Sequence, residues 1–280
     1  MTNQVISLIN KVIKENGIKK YSESWKNMDP EITFSNLSQC FNYITNNLKL
    51  YHKHSNLLYF KDVNLIELKK DNRKPPKFIW DKRNKIGRII YYHFYSSNDK
   101  VKNQDDEKDM ILLTNKYLTQ WLNDEIKGLI IDLRFHKGGN FYPFIMSLVK
   151  ILDKTSLFGI TQNEKKIWFN LNNKITIGEY KTDQLIFDKP IAIIVGENTK
   201  SSGEFSAAIF KGRDNVKFFG QKTAGFLSMN STIKINSKLK LILPTNLITT
   251  VDKIFQESEI IIPDVITKKP IFDSKNWIKN

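Results

Sequence analysis

The sequence predicts an α/β fold with a small helical region at its N-terminal end. Two observations carry this. A buried apolar run, a polar turn and a helical pattern follow one another twice, at residues 128–152 and again at 190–210. That succession is the unit from which sheets with helices packed on them are built. By contrast, residues 2–50 show helical periodicity alone, broken by Asp29-Pro30.

Taken in order, residues 3–15 read as an amphipathic helix, with Val5, Ile6, Leu8, Ile9, Val12 and Ile13 set among Asn and Lys. Residues 35–48 read as a second helix, with Leu37, Cys40, Phe41 and Ile44 on one face. The character changes after residue 50. Leu57-Leu58-Tyr59-Phe60, Phe78-Ile79-Trp80 and the run from Ile89 to Tyr95 are short, aromatic and β-branched, and read as strands. Residues 101–108 read as a charged loop and 109–124 as an amphipathic helix carrying Ile111, Leu118 and Trp121. Residues 128–134 read as a buried strand, 135–140 as a Gly-rich turn and 142–152 as a helix. Short strands follow around Gly159 and Trp168. Residues 190–196 form a β-branched run ended by Gly196, and Phe205, Ala208 and Ile209 then share a helical face. Residues 216–220, 232–235 and 239–243 read as strands, and 260–265 closes the core. The expected organisation is a helical region at 1–50, an α/β core at 51–270 and a polar tail at 271–280.

Hydrophobic residues at 40% and aromatics at 12% are enough for a real core. No run approaches the roughly 18 consecutive apolar residues that a membrane helix needs, so no membrane span is expected. Residues 1–16 interleave apolar with polar positions and lack the continuous apolar stretch and small-residue cleavage site of a signal peptide. The expected compartment is intracellular, the cytoplasm. A single cysteine, Cys40, excludes an internal disulfide framework and a Cys-built zinc site. The net charge of +15 raises the question of nucleic acid. The lysines are scattered, however, with no arginine-rich helix, zinc-finger spacing or RNA-binding aromatic signature, so no specific nucleic-acid partner is expected. An acidic partner or weak polyanion association remains compatible with the charge. His52 and His54 have a metal-like spacing but no Cys or clustered carboxylates beside them. No metal and no cofactor is expected, and the oligomeric state is left open.

Ser201 and Ser202 stand where a core strand turns into a helix. Free amides and partial positive charge at a helix start stabilise a developing oxyanion, so the position suits a nucleophile. The same Ser201-x-x-Glu204 spacing is also a capping box with no chemistry attached. The residues alone leave both readings open.

Four segments together resemble the S41 serine peptidases, which include the C-terminal processing (tail-specific) proteases, the tricorn core protease and retinoid-binding-protein-like repeats. They are Gly128-Leu-Ile-Ile-Asp132-Leu-Arg134 with Gly138-Gly139, Thr199-Lys-Ser201-Ser202-Gly203-Glu204, Phe219-Gly220-Gln221-Lys222-Thr223-Ala224-Gly225, and Ile260-Ile-Ile-Pro263-Asp264-Val265. They fall in family order across roughly residues 50–265. The resemblance implies a ClpP/crotonase-like α/β core. Nothing before residue 128 resembles a PDZ domain in length or loop sequence, so a member without that domain is expected. The family's Ser–Lys branch has its lysine directly after the Gly of the Thr-x-Gly segment. Here that residue is Phe226, and Lys222 matches no catalytic position. The tricorn-type branch uses Ser, His and Glu, and Ile90-Tyr91-Tyr92-His93-Phe94 resembles its histidine strand, with Tyr92 where that branch carries a serine.

The resemblance therefore implies a serine-type, tail-specific-protease-like endopeptidase acting on peptides or unfolded proteins. Ser201 would be the nucleophile, His93 the general base, and Glu257, with Glu259 beside it, the carboxylate orienting His93. The amides of Ser202 and of Gly138 or Gly139 would form the oxyanion hole. His93 also reads as a plain strand histidine in an aromatic patch. His136 stands where many members carry Asn and is expected to shape the turn or touch substrate. A non-catalytic binding module and an acyl-CoA-handling crotonase relative are the other functions the fold would allow.

Overall fold

The structure, a computed structural model, describes residues 2–59, 73–95, 99–152, 156–162, 165–170, 187–249 and 260–280. The chain forms two compact units. One comprises Met1–Glu67, Ile160–Ile167 and Ser228–Ile248, the other Leu68–Gly159, Trp168–Leu227 and Thr249–Asn280. The boundary thus does not fall at residue 50.

In the first unit, helices α1 (Thr2–Asn16), α2 (Lys19–Glu23) and α3 (Leu37–Tyr51) accompany strand β1 (Asn56–Tyr59). Strand β1 pairs antiparallel with β10 (Leu239–Thr249), which pairs in turn with β9 (Ser228–Lys234). Ile6, Ile9, Ile13, Ile44, Leu48, Leu57, Leu241 and Leu243 form its core. The periodic apolar faces of α1 and α3 are the ones buried there. The pairing of Leu57 with Leu241 is what draws residues 228–248 to the N-terminal helices. Tyr51 ties them further, accepting the Ile18 amide at 2.9 Å and donating to the Pro244 carbonyl at 3.2 Å. Strands β5 (Ser156–Gln162) and β6 (Lys165–Asn170) complete a sheet of order β1-β10-β5-β6, with β9 on β10.

The second unit is built on a six-stranded sheet. Its strands are β2 (Lys77–Asp81), β3 (Ile86–Phe94), β4 (Gly128–Gly139), β7 (Ile191–Val195), β8 (Val216–Gly220) and β11 (Val265–Ile266), in the order β11-β8-β7-β4-β3-β2. Strand β2 runs antiparallel to β3 and all other pairings are parallel. The central strand β7, Ile-Ala-Ile-Ile-Val, is buried at every position, as a parallel strand covered on both faces must be. On one face Ile86, Ile130, Ala192, Ile194 and Phe219 pack with Ile278 of helix α7 (Pro270–Lys279). On the other, Gly87 lies beneath Trp121 of helix α4 (Lys100–Asn123), so closely that an added Cβ would sit 2.4 Å from the indole. Helices α5 (Tyr142–Ser147) and α6 (Ser202–Ala208) follow β4 and β7.

Three local expectations are corrected. Residues 101–108 are helical, because Asp99 caps α4 by accepting the Lys102 amide at 2.9 Å. Their side chains are then held by partners distant in sequence: Asp106 pairs with Arg73 at 2.8 Å, and Glu107 accepts from Asn140 at 2.9 Å. The Gly138-Gly139 segment is not a turn beyond the strand but the end of β4 itself, with φ of +111° and +107°. Residues 270–279 are a helix, started by Pro270 and anchored by Ile278 against Gly128, rather than a polar tail.

The Gly87–Trp121 contact makes a double-mutant test. Gly87→Ala is expected to destabilise by about 1–3 kcal/mol through overpacking, and to be nearly neutral once Trp121 is Ala. Urea denaturation of the four proteins measures that coupling.

Candidate active site

The parallel strands β3, β4 and β7 all point their carboxyl ends to one edge of the sheet, the edge at which open α/β sheets bind ligands. Along it lie His93, near the end of β3, the two glycines that end β4, and the turn from β7 into α6 that carries Ser201.

Ser201 has φ +50° and ψ −118°, a conformation that costs a non-glycine residue about 1–3 kcal/mol. A strained strand-to-helix turn of this kind lifts a serine out of the helix and presents its hydroxyl. The surroundings over-determine the strain. Thr199 Oγ1 donates to the Leu133 carbonyl and accepts the Gly196 amide, each at 3.0 Å, and the Lys200 amide donates to the His136 carbonyl at 3.1 Å. Glu204, fully buried, accepts the amide of Ser201 at 3.0 Å and those of Gly225 and Phe226 at 2.6 Å each. Burial pushes its carboxyl up from the ordinary value, and the hydrogen bonds from Thr223 and the three amides pull it part of the way back. The Glu204 half of the capping box is therefore real, and it also clamps the Ser201 turn to residues 225–226.

Gly138 sits directly against Ser201: a Cβ there would lie 3.3 Å from Ser201 Cβ and 3.8 Å from its Oγ. Only a glycine fits both that approach and a φ of +111°. Gly139 is as tightly placed, since its Cβ would fall 2.1 Å from the Phe94 carbonyl oxygen. The Gly138 amide donates to His136 Nδ1 at 3.3 Å. Ser202, the first residue of α6, has an amide with no acceptor inside its own helix.

His93 lies beside the end of β4 in an irregular ladder. Tyr92 pairs with Phe135 and Phe94 with Gly139, so the single residue His93 opposes three, His136, Lys137 and Gly138. Bulges of this kind re-aim side chains and are common beside active sites. His93 is half-buried, its ring 4.8 Å from that of Tyr95. Burial first, then the charges of Lys137 and Lys74, hold its pKa below the ordinary histidine value. Glu257 and Glu259 lie outside the described residues. His136, expected to shape a turn, lies instead within β4, fully buried, with its Nδ1 accepting the Gly138 amide at 3.3 Å. His52 and His54 belong to the first unit, where His54 Nδ1 lies 3.1 Å from Ser228 Oγ.

Sequence reasoning missed the reach of Glu204 to Gly225 and Phe226, which spacing alone cannot reveal. It also missed the buried carboxylate of Asp132, held by Arg88 at 2.5 Å and by Arg134 at 2.8 Å. The Asp-Leu-Arg triplet signalled the second of these, whereas nothing near Arg88 signalled the first.

A strained serine after a central parallel strand thus lies against Gly138, and His93 stands on the neighbouring strand β3. The chain belongs to Peptidase family S41, whose model matches residues 85–267. It is 30% identical over 160 residues to the nisin-resistance protein of Lactococcus lactis subsp. lactis, covering 55% of this chain and 50% of that protein. It is 24% identical over 148 residues to the carboxy-terminal-processing protease of Bartonella bacilliformis, covering 53% of this chain and 32% of that one. The matches therefore span half or less of these relatives' length. A lipoprotein from Streptococcus agalactiae has the same fold, with TM-score 0.77 at 23% identity over 99% of this chain and 96% of that one.

Strain and clamp give opposite expectations for stability. Ser201→Gly relieves the backbone and is expected to leave stability unchanged or raise it by about 1 kcal/mol. Glu204→Ala strands three amides and is expected to cost about 3 kcal/mol or more. Thermal unfolding of both variants beside the wild type decides this.

Proposed function

We propose that the chain is a serine-type endopeptidase. Ser201 attacks the peptide carbonyl while His93 takes its proton as general base, and His93 then protonates the leaving amine. The tetrahedral oxyanion is received by the amides of Ser202 and of the Gly138-Gly139 segment. The Gly138 amide already donates to His136, which favours Gly139 as the donor from that segment. Water activated by His93 then releases the acyl group from Ser201. Glu257 is assigned as the carboxylate that orients His93, on its place before Pro263-Asp264.

The observation that carries this reading is the strained Ser201 lying against Gly138 at the carboxyl edge of the sheet, in a chain of a peptidase family. The depressed pKa of His93 supports it, since the imidazole is then the free base at neutral pH. The relative named for nisin resistance makes nisin the first compound to test. Nisin and an unstructured peptide should be followed by mass spectrometry with wild type, Ser201→Ala and His93→Ala. Cleavage is expected in the wild type and a loss of about 10⁴-fold or more in each variant. Undiminished cleavage by pure Ser201→Ala would exclude the mechanism.

The pH profile follows from the same groups. His93 acts as base only when unprotonated, so kcat/KM rises with pH through its pKa and is flat above. The midpoint is expected below the ordinary histidine value of about 6.5. Lys137→Glu replaces a repelling charge with an attracting one, stabilises the imidazolium and should move that limb to higher pH. A limb that stays in place would mean that another group titrates.

A further inference from the structure

We propose that His136 is a positioning residue: Nδ1 accepts the Gly138 amide, its carbonyl accepts the Lys200 amide, and the two bonds set the spacing between the oxyanion segment and the nucleophile turn. The proposal rests on the reading of Ser201 as nucleophile, and it concerns a residue that touches neither substrate nor the reacting atoms.

The geometry leaves His136 little freedom. It is fully buried, and its ring meets Phe144 edge-on at 6.0 Å between centroids. Gly203, in the first turn of α6, is pressed onto it. A Cβ on Gly203 would fall 2.2 Å from the His136 carbonyl oxygen and 3.1 Å from its Cβ and Cγ. His136 therefore touches both sides of the site, through Gly138 on one strand and through Lys200 and Gly203 on the next turn. A general-base role is excluded by the same facts, because Nδ1 is occupied and the ring has no access to solvent.

Accepting a hydrogen bond requires Nδ1 to be unprotonated, which puts the ring proton on Nε2. Burial, with the charge of His93 nearby, pushes the His136 pKa down to about 3, so the ring stays neutral and Nδ1 stays an acceptor at any working pH. Nε2 is buried with no hydrogen-bond partner among the described residues. A buried polar atom without a partner is destabilising, and an apolar side chain of similar size would avoid that. The bond from Gly138 to Nδ1 is what accounts for an imidazole here.

Asparagine makes the test, because its Oδ1 stands as far from Cβ as Nδ1 does and accepts in the same way. His136→Leu keeps the bulk and loses the acceptor. With a cleaved peptide as substrate, His136→Leu is expected to lower kcat about 10²–10³-fold, the loss typical of one misplaced oxyanion donor. KM should stay within about 3-fold, and His136→Asn should recover kcat to within about 10-fold of wild type. Should His136→Leu not fold, His136→Gln moves the acceptor one bond farther out and carries the same expectation. The bond itself is read without activity, as hydrogen exchange of the ¹⁵N-labelled Gly138 amide. Exchange is expected to be at least about 10-fold faster in the Leu or Gln variant and restored in Asn. The proposal is overturned by an acceptor-less variant with wild-type kcat, by folded Asn and Leu variants that are equally slow, or by Gly138 exchange alike in all proteins. A wild type that cleaves no peptide would sink the peptidase reading alone, and the exchange comparison would still decide the His136–Gly138 bond.

Discussion

The buried carboxylate of Glu204 is the interaction on which the site depends. It gathers three amides from two parts of the chain 21 or more residues apart, Ser201 on one side and Gly225 and Phe226 on the other. Hydrogen bonds to a charged acceptor are each worth about 1.5–3 kcal/mol, and an amide left without one is costly. That is enough to hold Ser201 in a conformation costing about 1–3 kcal/mol. The clamp also extends outward. The Ala224 amide donates to the Thr199 carbonyl at 3.1 Å, and Thr223 exchanges two hydrogen bonds with Ile261, its amide donating to the Ile261 carbonyl and its Oγ1 accepting the Ile261 amide. Residues 199–204, 223–226 and 261 are therefore tied into one hydrogen-bonded piece.

Against this piece stands the end of β4, and the two meet through glycines rather than side chains. Gly138 faces Ser201, and Gly203 faces His136. Each contact works because a Cβ is absent, so Ser201, the end of β4 and the first turn of α6 approach to backbone distance. Electrostatics then separates the two histidines by burial. His136, with no exposure, is held neutral far below the working pH, whereas His93, half-buried beside two lysines, is lowered less.

Much of this was legible in the sequence wherever a local rule governed it. Residues 191–195 are an unbroken apolar run and residues 129–133 are apolar but for Asp132, as strands buried on both faces are, and both are central strands. Ser201 was marked by its place between strand and helix, and the glycine pair by its spacing from Asp132. What was not legible depended on distant partners. Residues 101–108 carry no apolar period, and their helix is fixed by Asp99, Arg73 and Asn140. The C-terminal residues looked polar because Ile278 is the one large apolar side chain of α7 that is buried, and the space for it exists only because residue 128 is glycine. Residues 228–248 gave no sign that they would cluster with the N-terminal helices, since antiparallel pairing over nearly two hundred residues leaves no local trace. Glu204 read as a helix cap and proved to be a tertiary clamp for the same reason.

The most direct measurement is to treat the folded protein with a fluorophosphonate and map the adduct by peptide mass spectrometry. Such a reagent bonds covalently to a serine whose proton is being taken by a base. The account predicts a single adduct on Ser201, absent when His93 is replaced by Ala. An adduct on Ser202 instead, or none on the folded wild type, would contradict the claim that this turn presents Ser201 as an activated nucleophile.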